Sequence, residues 1–359
     1  MLTGARCHLP SGIRVSLVAK RILYIGDLWY GSTALWRLNT LRKLGYEVDA
    51  IDSTRTWNGW RLRLLNLLQK IKIGIDSETL NSKVVQACLN NFYDALWIDK
   101  GLWTRPGLLD QLKRKHPALI LISFSPDDMF NPINQTYRYV RCLPLYHHVI
   151  TTKHHNVDEF RKAGVQEVHY VQKSHDADVQ KKYDLTPEDY AHYGSDVGFI
   201  GNFEQPRFRS MLALAQAGIG VNVKGPAWER FKNQHKNLQI EPKNFFGEEY
   251  AKVLQATKIN LGFLHKGNRD QHTARSIEIP ACGGFLLAER TAEHLQLFEE
   301  GKEAEFFDSD GELVEKVNYY LAHEEQRAAI AQAGYERCVN SEYDNYHVFK
   351  KTLLPLLFV

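Results

Sequence analysis

Short apolar runs and amphipathic stretches alternate along the first half of the chain. "RILYIG" at 21–26 reads as a strand, and the apolar spacing from about Ser32 to Leu44 predicts a helix behind it. The strand signal returns at "YEVDAID" (46–52), "DALWID" (94–99), "ALILIS" (118–123), "HVITT" (148–152) and "EVHYV" (167–171). Helical patterns over 59–72, 79–91, 106–115, 133–143 and 156–163 separate them. Short strands that are apolar throughout, each followed by a helix, predict a parallel sheet covered on both faces.

A polar interval, 172–195, holds few large aliphatic residues and reads as a domain boundary. The pattern restarts with "DVGFIG" (196–201), a helix near 207–217, "IGVNVKG" (219–225), "LQIE" (238–241), a helix near 247–256 and "KINLGF" (258–263). "AEFF" (304–307) and helices near 310–322 and 324–338 complete it. Each half opens on a strand that ends in Ile-Gly, "YIGD" at 24–27 and "FIGN" at 199–202. The expected organisation is α/β with two Rossmann-like domains facing each other across a cleft. A loose extension covers 1–20, the first domain 21–175 and the second 176–340. A final helix occupies 341–359. Ligands of open α/β sheets bind beyond the carboxyl ends of the strands, so the chemistry is sought in the strand-end loops.

Length agrees, since 359 residues exceed one ordinary core. The net charge of +3 and the lack of a conspicuous Lys/Arg block argue against nucleic acid as a partner. Five scattered cysteines without CxxC spacing suit reduced thiols and predict a cytoplasmic protein with no metal site. No apolar run approaches the roughly 18 residues that span a bilayer, so no stable membrane insertion is expected.

The loop "IGDLWYGS" (25–32) lacks GxGxxG spacing; it is either a tight strand-to-helix turn or a substrate-facing loop. In "IGNFEQPRFRS" (200–210), Gly201 and Asn202 follow a strand, and Pro206 can open a helix. Arg207 and Arg209 then sit where the helix dipole disfavours cations unless an anion lies between them. Lys224 ends another strand, and Phe246 lies in a loop that can clasp a flat base or plug the core. "LHKGNRDQHTARSIE" (264–278) is rich in donors, among them His272 and Arg275, and Thr273 is a plausible N-cap. Arg275 and Glu278 either pair with each other at i, i+3 or grip a ligand, and the helix they share breaks at Gly283-Gly284.

These residues carry a resemblance. "ARSIEIPACGGFLLAERTAEHLQLFEEGKEAEFF" (274–307), continuing through "DSDGELVEKVNYYLAHEEQRAAIAQAGYERC" (308–338), is similar to the C-terminal domain of the CgeB-like (spore-maturation-protein type) glycosyltransferases of the GT-B superfamily. The likeness extends more thinly to 196–225, "DALWIDKG" (94–101) and "FSPDD" (124–128). It implies a GT-B fold and transfer of a sugar from a UDP- or GDP-linked donor to an acceptor hydroxyl, with no cofactor. The final helix would cross back to the first domain. Glu278 would hold the donor ribose, while Arg275 with Arg207 or Arg209 would neutralise the diphosphate. Gly201, Asn202, Lys224, Phe246, His272, Thr273 and Gly283 complete the implied donor site. The family's E-x7-E pattern departs here to D-x7-E, with Asp270 in the first position, and Pro280 stands where Met or Ala is frequent. Asp128 of "PDDM" and Asp27 at the first strand's end are rival candidates for the base that deprotonates a glycan, lipid-linked or small-molecule acceptor. Two other readings remain at this level: a non-catalytic two-lobed binder of a nucleotide or phosphorylated small molecule, and a tandem-Rossmann NAD-dependent oxidoreductase.

Overall fold

A computed structural model describes residues 20–54 and 79–357, together with positions 60, 64, 67 and 68. The extension expected before residue 20 and most of the helix expected over 59–72 lie outside the described residues. Two parallel six-stranded sheets follow one another in the chain. The first contains β1 (Arg21–Gly26), β2 (Glu47–Asp52), β3 (Ala95–Asp99), β4 (Ile120–Ser125), β5 (His148–Thr151) and β6 (Glu167–Tyr170), in the order β2-β1-β3-β4-β5-β6. The second contains β7 (Ser195–Ile200), β8 (Val221–Lys224), β9 (Leu238–Glu241), β10 (Thr257–Gly262), β11 (Leu286–Glu289) and β12 (Glu305–Phe307), in the order β12-β11-β10-β7-β8-β9. In both, strand order reverses beside the unit's first strand: between β1 and β3, and between β7 and β10. Such a switch point opens a crevice at the strands' carboxyl ends.

The covering helices are α1 (Thr33–Lys43), α2 (Leu80–Asn90), α3 (Pro106–Lys115), α4 (Tyr137–Cys142) and α5 (His154–Lys162) in the first unit. In and after the connecting stretch come α6 (Pro187–Tyr193), α7 (Gln205–Gln216), α8 (Gly247–Ala256), α9 (Ala274–Ala281), α10 (Ala292–Leu297), α11 (Asp310–Ala322) and α12 (Glu324–Asn340). The polar interval 172–195 is more than a linker. Thr186 and Asp189 form a reciprocal capping box around Pro187, which starts α6. The charge-rich sequence there reflects surface capping, not absence of structure.

Apolar clusters cover each sheet on both faces. Beneath the first sheet, Leu96, Ile98 and Leu121 pack with Val84, Leu109 and Tyr139. Above it, Ile22, Tyr24, Trp97 and Ile122 pack with Val348, Phe349, Leu353 and Leu357 from the end of the chain. The tail, α13 (Asn345–Val348), one π-helical stretch and α14 (Leu354–Leu357), is therefore part of the first domain's core. Trp97 stacks between Phe124 and Phe349 at centroid separations of 6.0 and 5.9 Å. The second sheet is filled by Val197, Phe199, Leu261 and Trp228 on one face and by Leu254, Ile277, Leu286 and Phe306 on the other. The four described cysteines are free and buried. Among the described residues no helix is long and apolar enough to cross a membrane.

Candidate active site

The two switch points face each other across a cavity of about 620 Å³. From the first unit it is lined by the loop after β1, including Asp27, Trp29 and Gly31, by Ser32 and Thr33 opening α1, and by Asp99 to Trp103 after β3. From the second unit Asn202 follows β7 and Arg275 projects from α9. The chain thus places residues 73 positions apart, Asn202 and Arg275, on one wall because β7 and β10 are neighbours.

Arg275 donates through Nε to the Ile200 carbonyl at the end of β7. This holds the guanidinium against the strand end, and an ideal Cβ on Gly201 would lie 3.3 Å from Arg275 Nη2. Gly225 approaches from β8 with φ +134°; a Cβ there would come within 2.3 Å of the Gly201 carbonyl oxygen. The glycines at these two strand ends therefore permit a close backbone crossing.

Arg275 lies in the first turn of α9. Ser276 Oγ accepts from the Thr273 N–H (3.0 Å), while Thr273 Oγ1, itself buried, has no hydrogen-bond partner among the described residues. One turn on, Glu278 is 5% exposed. Its carboxylate accepts from Gln180 Nε2 (2.8 Å) and Tyr250 Oη (2.6 Å). Burial, reinforced by the Glu278 charge, raises the Tyr250 phenol well above its ordinary pKa, which keeps it a donor. Glu278 and Arg275 do not pair; each is held by other partners. Pro280 occupies the last turn of α9, where its missing N–H removes one helical bond without kinking the middle, and the helix closes just beyond it with the Gly283 and Gly284 N–H groups donating to the Pro280 and Ile279 carbonyls. Gly334 of α12 sits over it, where a Cβ would lie 3.5 Å from that of Pro280.

The structure distributes the remaining candidates differently. Asp27 is exposed, lines the cavity, and accepts from Ser53 Oγ at 2.8 Å. Asp128 is buried away from the cavity wall. It takes a two-pronged contact from Arg269 (2.6 and 2.9 Å) and also accepts from Asn156 and the Phe130 N–H. Burial opposes its ionisation, yet these donors, Arg269 foremost, keep it below the usual carboxylate range. Asp270 is buried in an ion pair with Lys153. Arg207 points inward: it donates to the Leu264 and Asn202 carbonyls, pairs with Glu204 at 2.7 Å, and burial lowers it to about 10. Arg209 is exposed on α7 and does not line the cavity. Lys224 pairs with Glu241 at 3.1 Å and lies over the Phe245 ring. His272 is buried, its Nε2 accepts from the Lys173 N–H, and burial lowers its pKa despite contact with Glu293. Gly283, at φ +79°, closes α9 against the Lys182 side chain. Phe246 packs edge-on against Trp29, with ring centroids 5.3 Å apart.

Several participants gave no clear signal in the sequence. Lys100, at φ +60°, pairs with Asp127 at 2.7 Å on the cavity wall. Burial opposes ionisation of Asp127, but Lys100 and then Lys173 pull its pKa far down. Burial and the adjacent Lys153 bring Lys173 down to about 8. Trp103, largely buried in the first domain's core, lines the same cavity as Trp29. The loop 264–272 reaches over to the first unit: Asn268 meets Asn134 (2.7 Å) and Asp127 (3.1 Å), and Arg269 also pairs with Glu159 (2.8 Å). Among the described residues no cluster of three or more His, Cys, Asp or Glu is gathered as a metal site.

Residues 207–353 match a family model described as glycosyl transferase-like. No curated protein matches the chain. Among solved structures, HepE of Anabaena in complex with UDP-glucose is 14% identical, with a TM-score of 0.63 over 94% of this chain and 99% of that one. Sucrose-phosphate synthase from Thermosynechococcus elongatus is 12% identical, with a TM-score of 0.63 over 94% and 97% of the two chains. A glycosyltransferase from Rickettsia africae is 13% identical, with a TM-score of 0.63 over 94% and 98%. Two Rossmann-like units, each a parallel six-stranded sheet with helices, aligned over 94% of this chain and 97–99% of those structures, give this chain a GT-B fold.

Proposed function

We propose that the protein is a glycosyltransferase that moves a sugar from a nucleoside-diphosphate donor to an acceptor hydroxyl. The observation that carries this reading is the opposition, across one cavity, of Arg275 at the head of α9 and Asp27 at the end of β1. The glycosyl transferase-like match over 207–353 and the UDP-glucose in the HepE complex support it, and support a UDP-linked sugar as the first donor to test.

In this reading the second unit holds the donor. Glu278 accepts the ribose hydroxyls with the lone pairs that Gln180 and Tyr250 leave open. The unpartnered Thr273 hydroxyl and the free N–H groups opening α9 receive a phosphate oxygen, and Arg275 neutralises another. Asp27 takes the acceptor proton as the acceptor oxygen bonds to the anomeric carbon. The bond from that carbon to the diphosphate oxygen breaks, and its electron pair leaves with the nucleoside diphosphate. Fixed donors aimed at that developing charge supply the stabilisation, with no metal required of the protein. Asp128 and Asp270 act instead through the loop 264–272, which they fix to the first unit. The similarity of 274–338 to CgeB-like enzymes supports that subtype. Trp29 and Trp103 offer apolar faces to a glycan acceptor.

The test is donor hydrolysis and transfer measured by mass spectrometry over a panel of nucleotide-sugars and simple glycoside acceptors. Release of nucleoside diphosphate that falls with Asp27→Asn and with Arg275→Ala is expected. Turnover unaffected by both substitutions would overturn the reading.

A further inference from the structure

A second cavity, of about 60 Å³, lies where the connecting stretch, the tail and the head of α9 meet. Thr33 and Arg37 line both it and the large cavity, so the two adjoin. Its wall includes Lys173 from the connecting stretch and Ala274, the first residue of α9. The Lys173 N–H donates to His272 Nε2 at 3.3 Å, and the hydroxyl of the next residue, Ser174, donates to Asn345 Oδ1 at 2.5 Å. The backbone at Lys173 is thereby pinned to the loop that enters α9 on one side and to the tail on the other.

The cations that line the two cavities are Arg37, Lys100, Lys173 and Arg275. Arg37 is taken by Asp99 and Lys100 by Asp127. Among the described residues no carboxylate lies within ion-pair distance of Arg275 or Lys173. The other charged groups around Lys173 are also engaged: Lys153 repels it but is itself paired with Asp270. Asp270 and Asp127 attract it only from beyond ion-pair distance. An ammonium withdrawn from water without an anion of its own is unfavourable, and a bound anion removes that cost. Beside it α9 opens with unpaired N–H groups, and the Thr273 hydroxyl there is buried without a partner.

We propose that Lys173 and the first turn of α9 together bind a phosphate group, Lys173 supplying the charge that Glu204 withholds from Arg207. The proposal rests on the glycosyltransferase reading for its ligand. That reading offers two sources with the same chemistry, the terminal phosphate of the nucleoside diphosphate and a phosphate carried by the acceptor. In either case the oxyanion accepts from the ammonium and from backbone N–H groups at the helix head. Burial and Lys153 hold Lys173 at about 8 in the empty site. A bound anion favours the charged form, so affinity should fall as pH rises through 8 and the free ammonium gives up its proton.

The test is calorimetric titration of wild type, Lys173→Met and Lys173→Arg with UDP, uridine and glucose 6-phosphate. Lys173→Met should weaken UDP or glucose 6-phosphate roughly ten- to a hundredfold, with uridine binding unchanged and the melting temperature not lowered. Loss for UDP puts the phosphate on the donor; loss for glucose 6-phosphate puts it on the acceptor. Wild-type affinity for that ligand should drop about tenfold between pH 7 and pH 9, and Lys173→Arg, whose charge persists across that range, should bind without the drop. A purely structural Lys173 would move uridine and UDP alike and would leave no such pH dependence. Wild type and Lys173→Met binding both phosphate ligands equally would overturn the proposal and leave the glycosyltransferase reading standing. A wild-type chain that binds neither UDP nor glucose 6-phosphate would overturn both.

Discussion

Replacing Glu278 by Gln isolates the ribose contact better than truncation does. The carboxylate is 5% exposed and already accepts from Gln180 and Tyr250. Truncation to Ala would leave both donors buried without a partner, at about 1–3 kcal/mol each, and would confuse folding with binding. A carboxylate offers roughly four acceptor positions, so about two remain for a vicinal diol. Hydrogen bonds to a charged group contribute about 1.5–3 kcal/mol each; the lower figure for two bonds gives about 3 kcal/mol, or roughly two orders of magnitude in affinity. The assay is calorimetric titration of wild type and Glu278→Gln with UDP and with 2′,3′-dideoxy-UDP. Wild type should prefer UDP by about a hundredfold, and the variant should lose most of that preference, because the cycle cancels whatever the substitution does elsewhere. Equal affinity of the wild type for the two nucleotides would refute the assignment of Glu278 to the ribose. Equal preference in wild type and variant would show that the diol is read by another group.

Arg275→Ala should lower kcat/KM by about 10²–10³, as loss of one fixed donor to a developing anion does, with little change in chemical-denaturation midpoint. Arg269→Ala should destabilise the folded chain by about 1–3 kcal/mol in urea unfolding, less than a fully buried pair because its own side chain is 48% exposed while Asp128 is 1% exposed. Lys173, held at about 8 against an ordinary 10.5, is protonated in both folded and unfolded chains below pH 8, where its buried charge costs stability. Between about 8 and 10.5 the unfolded chain binds a proton that the folded one does not, so stability from this group rises with pH across that window. Lys173→Met should therefore gain most over wild type below pH 8, with the gap closing towards pH 10.5 in pH-dependent melts. Gly31→Val should lower the melting temperature, since φ is +90° and a Cβ would sit 2.5 Å from the Phe246 ring.

Much of the fold was legible because parallel strands buried on both faces write continuous apolar runs, as "RILYIG" and "DALWID" do. The loops after β1 and β7 could be singled out for the same reason, and they contribute Asp27 and Asn202 to the cavity. Partnership was not legible. Asp27, Asp128 and Asp270 look alike in sequence, and only the fold shows that Arg269 and Lys153, 141 and 117 positions from their partners, occupy the latter two. Arg207 reads as a phosphate ligand by position, yet two backbone carbonyls and Glu204 absorb its charge. Gln180 lies in a stretch whose polarity spoke only of solvent, although its amide reaches the buried Glu278 98 residues away. Contacts set by strand order leave no local trace.

The returned tail has a consequence for how the protein is made. One face of the first sheet is completed by Val348, Phe349, Leu353 and Leu357, contributed by the last helices of the chain. During synthesis the first domain emerges with Trp97 and Ile22 uncovered on that face, and the second domain must be translated before the cover arrives. Domains generally fold as units in order of emergence; here the first can settle only after the second. The two are thereby coupled into one cooperative step, and the interval before closure is when the uncovered face is most exposed to aggregation.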